Sequence, residues 1–224
     1  MPDNSDLTFD EWVAQIFDKP VTDPQWFFLC KYDDEPEPPP PIIEAKYMTS
    51  LFEKPAFLVS RYSEGQIAHG LEYLLKSYAS NYVFLFVEQA VPEQIRVRLA
   101  HSLFFLYKDL LSVICSDYCG GPDHPDRRPA DFVCFMMWDG GTLQIYPDRP
   151  EQREIDKALI DTLARILALP KRCCQKSALH GLGHAHLDYP DKVCDIINTY
   201  LATKRHLDDD LYEYALDARE GAVL

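Results

Sequence analysis

Glycine is scarce in this chain: 9 of its 224 residues are glycine, against 17 prolines. That balance excludes a glycine-rich phosphate-cradling loop as the first expectation. Excess positive charge is missing too. Lys and Arg number 22 against 36 Asp and Glu, a formal charge of −14 at pH 7. A surface of that sign repels phosphate backbones, so nucleic acid is not an expected partner. No CxxC pair occurs among the seven cysteines (Cys30, Cys115, Cys119, Cys134, Cys173, Cys174 and Cys194). A zinc ribbon and a thioredoxin-type dithiol are therefore unsupported. Walker A, GxGxxG, GxSxG and kinase signatures are absent as well, so no cofactor is expected.

Long apolar runs are also lacking. The stretch Leu99 to Tyr107 falls far short of the ~20 residues of a membrane span. The opening MPDNSDLTFDEW has neither the basic nor the apolar region of a signal peptide. The expectation is a cytoplasmic protein with reduced thiols and no membrane contact.

What is present reads as an ordinary globular chain of 25.8 kDa, with 47% hydrophobic, 12% aromatic and 26% charged residues. Such a chain removes roughly 70% of its unfolded surface from water, enough for a real core. Its acidity sits at the ends. Residues 1–45 hold eleven acids and two bases, and residues 206–224 hold six acids and one base. The stretch between is neutral. A protein partner is expected, and a basic one would be drawn to those ends.

Helical spacing dominates. Thr8 followed by Glu11 forms a capping-box pattern for a short helix over 8–18, with Phe9, Trp12, Val13, Ile16 and Phe17 inward. Pro38 to Pro41 cannot be helix interior, which makes 31–42 a semi-rigid connector. Residues 1–42 thus read as an acidic N-terminal extension, and 43–224 as one helical domain. Ser63 and Gln66 repeat the capping pattern ahead of Ile67, Leu71, Leu74 and Leu75. Pro92 opens a helix predicted over 92–117. The apolar run Phe132 to Trp138 is followed by Asp139-Gly140-Gly141. Either a hairpin with 142–146 or a helical turn fits there, and the reading leans helical. Further helices are predicted over 150–169, 171–187 and 190–203. A last one is capped by Asp208 and closed by Gly221.

The segment Ser177-Ala178-Leu179-His180-Gly181-Leu182-Gly183, a short turn, and an aliphatic helix from Pro190 resemble one HEAT-type unit. That resemblance implies an all-α fold, a HEAT/ARM-like superhelical stack of antiparallel helix pairs. Gly181 and Gly183 each cost about 1 kcal/mol of helix stability, so close packing should compensate. The stretch Tyr62 to Leu74, with Cys134 to Asp139 and Ala178 to His184, is similar to uncharacterised bacterial helical-repeat proteins. This likeness implies a fold and no activity.

Few residues point to chemistry. His180 and His184 stand four apart and share a helix face, a usable half-site for zinc, with Asp188 near the helix end as a third candidate ligand. HExxH is not formed, because Gly181 occupies the place of the base. The plainer reading is structural histidine. Cys173 and Cys174 stand among Lys171, Arg172 and Lys176, which could lower a thiol pKa; core packing is the plainer reading. Cys115 and Cys119, four apart, read as packing. Asp139, ending an apolar run, is expected to be partly buried with a raised pKa. Asp123, His124, Arg127 and Arg128 lie in a polar loop that offers a partner contact. The leading functional expectation is a non-enzymatic protein-interaction module. One alternative is an acidic immunity or inhibitor protein covering a basic enzyme. The other is a metal-dependent enzyme using His180 and His184.

Overall fold

The computed structural model describes residues 7–29, 38–117, 126–139, 149–203 and 208–223. Regular structure among the described residues is all helical, with no strand. Nine principal helices carry it: α1 (Phe9–Phe17), α2 (Pro41–Glu53), α3 (Glu64–Leu75), α4 (Glu93–Leu106), α5 (Pro129–Phe135), α6 (Arg153–Leu167), α7 (Arg172–His186), α8 (Pro190–Thr203) and α9 (Asp209–Arg219). No helix among the described residues is long and apolar enough to cross a membrane.

Helix starts follow local chemistry. Both capping boxes form: Thr8 with Glu11 at α1 and Ser63 with Gln66 at α3. Each satisfies two backbone donors that a helix start would otherwise leave open. Pro40 caps α2 in an extended conformation and Pro41 takes its first turn, as a residue with fixed φ and no N–H should. Asp208 caps α9 through Leu211 N–H, and Gly221 ends that segment at φ +71°, a conformation glycine adopts without a Cβ penalty.

The helix predicted over 92–117 is not a uniform α-helix. α4 passes at Tyr107–Leu111 into a π turn, followed by one short turn, Ser112–Ile114. Such bulges shift the register of the residues beyond them, and Cys115 follows directly. The helical reading of the run around Phe132 holds: α5 continues into a 3-10 turn at Met136–Trp138. The possible return strand at 142–146 lies outside the described residues.

α2 packs on α4, α4 on α6, and α6 on α7; α7 also takes α5, α8 and α9 against its remaining sides, while α3 packs on α5 and α1. One hydrophobic core runs through all of these, from Trp12 of α1 to Ala218 of α9. α7 lies at the centre of the C-terminal half and is buried on nearly every side. Its glycines make this possible. A Cβ on Gly181 would lie 2.6 Å from Leu163 Cδ2 and 2.8 Å from Trp138 Cγ, and one on Gly183 would lie 2.5 Å from a Val223 methyl. Neighbouring side chains therefore occupy the space that larger residues would need.

Candidate metal centre

The site begins with the docking of the 3-10 turn Met136–Trp138 on α7. The Trp138 ring presses against Gly181 and stacks on Tyr107, centroids 6.1 Å apart. Its Nε1–H donates to Ser177 Oγ at 3.1 Å, and the Ser177 hydroxyl donates to the Cys134 carbonyl at 2.6 Å. Tyr107 OH lies 2.7 Å from Ser177 Oγ and 3.0 Å from the Cys134 carbonyl. Lys76, buried at the end of α3, donates to the Met136 carbonyl and, at 3.4 Å, to that of Asp139. Burial pushes its pKa below the usual ammonium value, against the opposing pull of Asp139 and Glu72. The turn is fixed at both ends, and Asp139 follows it immediately.

Asp139 Oδ1 lies 2.8 Å from His180 Nε2 and 2.8 Å from His184 Nε2, while the two ring nitrogens are 3.2 Å apart. The imidazoles meet edge to face at 4.7 Å, as residues one turn apart on a helix can. His180 is fully buried, whereas the His184 side chain is 44% exposed, so one side of the cluster opens to solvent.

The other nitrogen of His180, Nδ1, lies 2.6 Å from Tyr214 OH on α9. Phe135 packs on the same ring at 4.8 Å. α9 is held in place by Arg172 at the start of α7, which donates to both Asp208 carboxylate oxygens at 2.9 and 3.0 Å. That bidentate pair pulls the Asp208 pKa down to about 2. Burial, with nearby Asp139, Asp217 and Asp210, raises the Tyr214 pKa and keeps its hydroxyl protonated.

The electrostatics favour the ligand forms. Burial is the strongest influence on His180 and lowers its pKa, helped by His184 and Lys76 and opposed by Asp139. Its imidazole is neutral at pH 7. For Asp139 burial is again the largest single influence and pulls upward, but hydrogen bonds and charge from both histidines together outweigh it. The raised pKa expected from the sequence is thus corrected to a lowered one, because the acid meets two imidazoles rather than an apolar wall.

Three donor atoms, one carboxylate oxygen and two imidazole nitrogens, all lie within 4.8 Å of one another. A tetrahedral zinc with bonds of 2.0–2.2 Å spaces its ligand atoms about 3.3 Å apart. The triangle of 2.8, 2.8 and 3.2 Å needs to open by only a few tenths of an ångström to become one face of such a site. Tyr214 is placed as an outer partner: with Nδ1–H donated to its oxygen, His180 turns a free Nε2 lone pair inward.

Of the residues singled out in the sequence, His180 and His184 come together and Asp188 does not join them. Asp188 is exposed beyond the end of α7, outside the three-donor cluster. Its place is taken by Asp139, 41 residues before His180. The sequence reading weighed Asp139 separately, and only the docking of the 3-10 turn joins the two signals. His186 packs its ring on Gly221, away from the cluster.

The loop candidates divide. Asp123 and His124 lie outside the described residues. Arg127 is exposed, and Arg128 caps α5 while pairing with Glu64, Nε to Oε2 at 3.2 Å. Arg128 has a role in holding α3 to α5. Cys174 is not an activated thiol: the hydrogen bond with Cys134 pulls its pKa down, as does Lys171, but contact with Cys173 and burial outweigh them and raise it. Arg172 and Lys176 turn to Asp208 and Asp210 instead. Cys115 is buried in the core, and Cys119 lies outside the described residues.

Comparison of the chain with protein-family models, curated proteins and solved structures found no match in any of the three.

Proposed function

We propose that this protein is a metal-dependent enzyme that binds a divalent transition-metal ion through Asp139, His180 and His184. The observation that carries this reading is the convergence of their three donor atoms around one point. Three protein ligands with solvent on one side match catalytic rather than structural zinc sites, which close their fourth position with protein. The two-histidine, one-carboxylate set also suits iron, manganese and cobalt. The chemistry such an ion supplies is activation of a bound water for hydrolysis. The chain's own part is to hold the three ligands in register, to keep His180 neutral, and to leave the His184 side open.

The test is metal analysis of untagged protein after reconstitution with zinc, cobalt, manganese or ferrous iron. Ion content is expected to fall by about one per chain in His180→Ala and in Asp139→Asn. Turnover of activated phosphoester and amide probes, abolished by a chelator, tests the catalytic half. A wild-type chain that binds no more ion than these two variants overturns the proposal.

A second reading, a protein-binding surface, draws on a different observation. Phe28, Leu29 and Tyr78 are more than half exposed, and the Phe28 and Tyr78 rings stack at 6.0 Å. Exposed aromatic groups of this kind suit a partner, and the acidic ends would steer a basic one. The HEAT-type pairing of α7 with α8 belongs to this reading, as a scaffold presenting helix faces. Capture of a partner that fades with salt and is lost in Phe28→Ser/Leu29→Ser supports it. Salt-insensitive capture that survives the double substitution counts against it.

A further inference from the structure

Four thiols gather at the other end of α7. Cys115 comes from the turn after the π bulge, Cys134 from α5, and Cys173 and Cys174 from the first turn of α7. The Sγ atoms of Cys115, Cys134 and Cys173 all lie within 4.8 Å of one another, and Cys174 Sγ is 4.0 Å from that of Cys173. All four residues are buried. Nothing in the Asp139 centre requires them.

We infer that Cys115, Cys134 and Cys173, with Cys174 beside them, form a buried site for a thiophilic d10 cation such as zinc, cadmium or cuprous copper. The geometry is the first ground. A tetrahedral cation with Zn–S bonds of ≈ 2.3 Å sets its sulfurs about 3.8 Å apart. The three thiols are already within about one ångström of that spacing. The second ground is their origin. Free cysteines packed only as small hydrophobes have no reason to meet sulfur to sulfur, yet three chain segments each deliver one here. Thiolate donors select soft cations over calcium or magnesium.

Because the ligand form of cysteine is the thiolate, binding releases one proton to solvent for each ligating thiol.

Cadmium added to the reduced full-length protein is the test. The expected result is a sulfur-to-cadmium charge-transfer band in the ultraviolet that saturates at about one thiolate-bound ion per chain. That band reports thiolate ligands only, so it is independent of whether Asp139, His180 and His184 hold a metal. It should persist in His180→Ala/His184→Ala and in Cys194→Ser, and fall at least tenfold in Cys134→Ala at equal cadmium. Should Cys134→Ala not fold, X-ray absorption of the wild-type cadmium complex decides. Three or four sulfur neighbours support the site. A shell of nitrogen and oxygen, or a band unchanged in a folded Cys134→Ala, overturns it.

Discussion

The two ends of α7 make an instructive contrast. Its first turn carries Cys173 and Cys174 into a dry, sulfur-lined pocket. Seven residues on, about 10 Å along the axis, His180 and His184 face a carboxylate with solvent on one side. The same two elements contribute to both places, with Cys115 joining the thiols from a third segment. The segment from α5 through the 3-10 turn supplies Cys134 to one cluster and Asp139 to the other. What differs is donor softness and access to water. Nitrogen and oxygen donors beside solvent suit exchange of water and substrate at an ion, while buried thiolates suit retention. One helix contact therefore produces two environments, and disturbing it at chosen points should separate them.

The largest effect is expected from Trp138→Ala. It removes the ring that fills the space over Gly181 and abandons the Ser177 bond, at a cost of about 3–5 kcal/mol. Asp139 and Cys134 both lose their seat, so thermal or denaturant unfolding and both metal titrations should weaken together. Loss at only one cluster would show that the shared contact does not unite them.

Tyr214→Phe touches one cluster alone. The hydroxyl against His180 Nδ1 disappears while the ring remains, and metal affinity at the histidine end should fall about 10–100-fold. The cadmium–thiolate band should not move. Equal losses at both ends would contradict the separation.

Gly181→Ala is subtler. The new methyl meets Trp138 and Leu163 at less than 3 Å, and the Trp138 ring is tethered by its bond to Ser177. Overpacking outweighs the ~1 kcal/mol gained in helix propensity, for a net loss of about 1–2 kcal/mol. Isothermal titration should show a weaker histidine centre, because the turn carrying Asp139 is pushed outward.

Glu44→Gln is the reference far from both clusters. Burial raises the Glu44 pKa to about 7 from 4.5, against a bond from Tyr82 that lowers it. A carboxyl with its folded pKa raised stabilises the fold fully below the unfolded value and loses that contribution as pH rises through the folded one. Wild-type stability should therefore drop between pH 4.5 and 7 relative to Glu44→Gln. The drop is about 1 kcal/mol once partial exposure of the carboxyl is allowed for. Chemical denaturation at pH 5 and pH 8 checks this, and a difference of opposite sign refutes the assignment.

Much of the helical frame was legible locally. Thr8 with Glu11, Ser63 with Gln66, and Asp208 act at their own helix starts, because capping uses groups three residues apart. The shared face of His180 and His184 follows from the helix period in the same way. The π turn at Tyr107–Leu111 left no mark in that period, since its apolar residues read as one continuous stripe. Asp188 was nearer in sequence than Asp139 and was therefore the candidate third ligand, although the chain turns it to solvent.

The amino-acid sequence alone determined the helical class, the helix starts, the acidic ends and the pairing of two histidines, all properties of residues within one or two turns of each other. Tertiary structure decided that Asp139 completes that pair and that Cys115 and Cys134 reach Cys173. Those meetings depend on how closely the 3-10 turn can approach α7. The approach is set by the missing side chain of Gly181 and the bonds of Trp138 and Ser177. Close packing is a property of surfaces brought together from distant segments, and no local period in the chain encodes it.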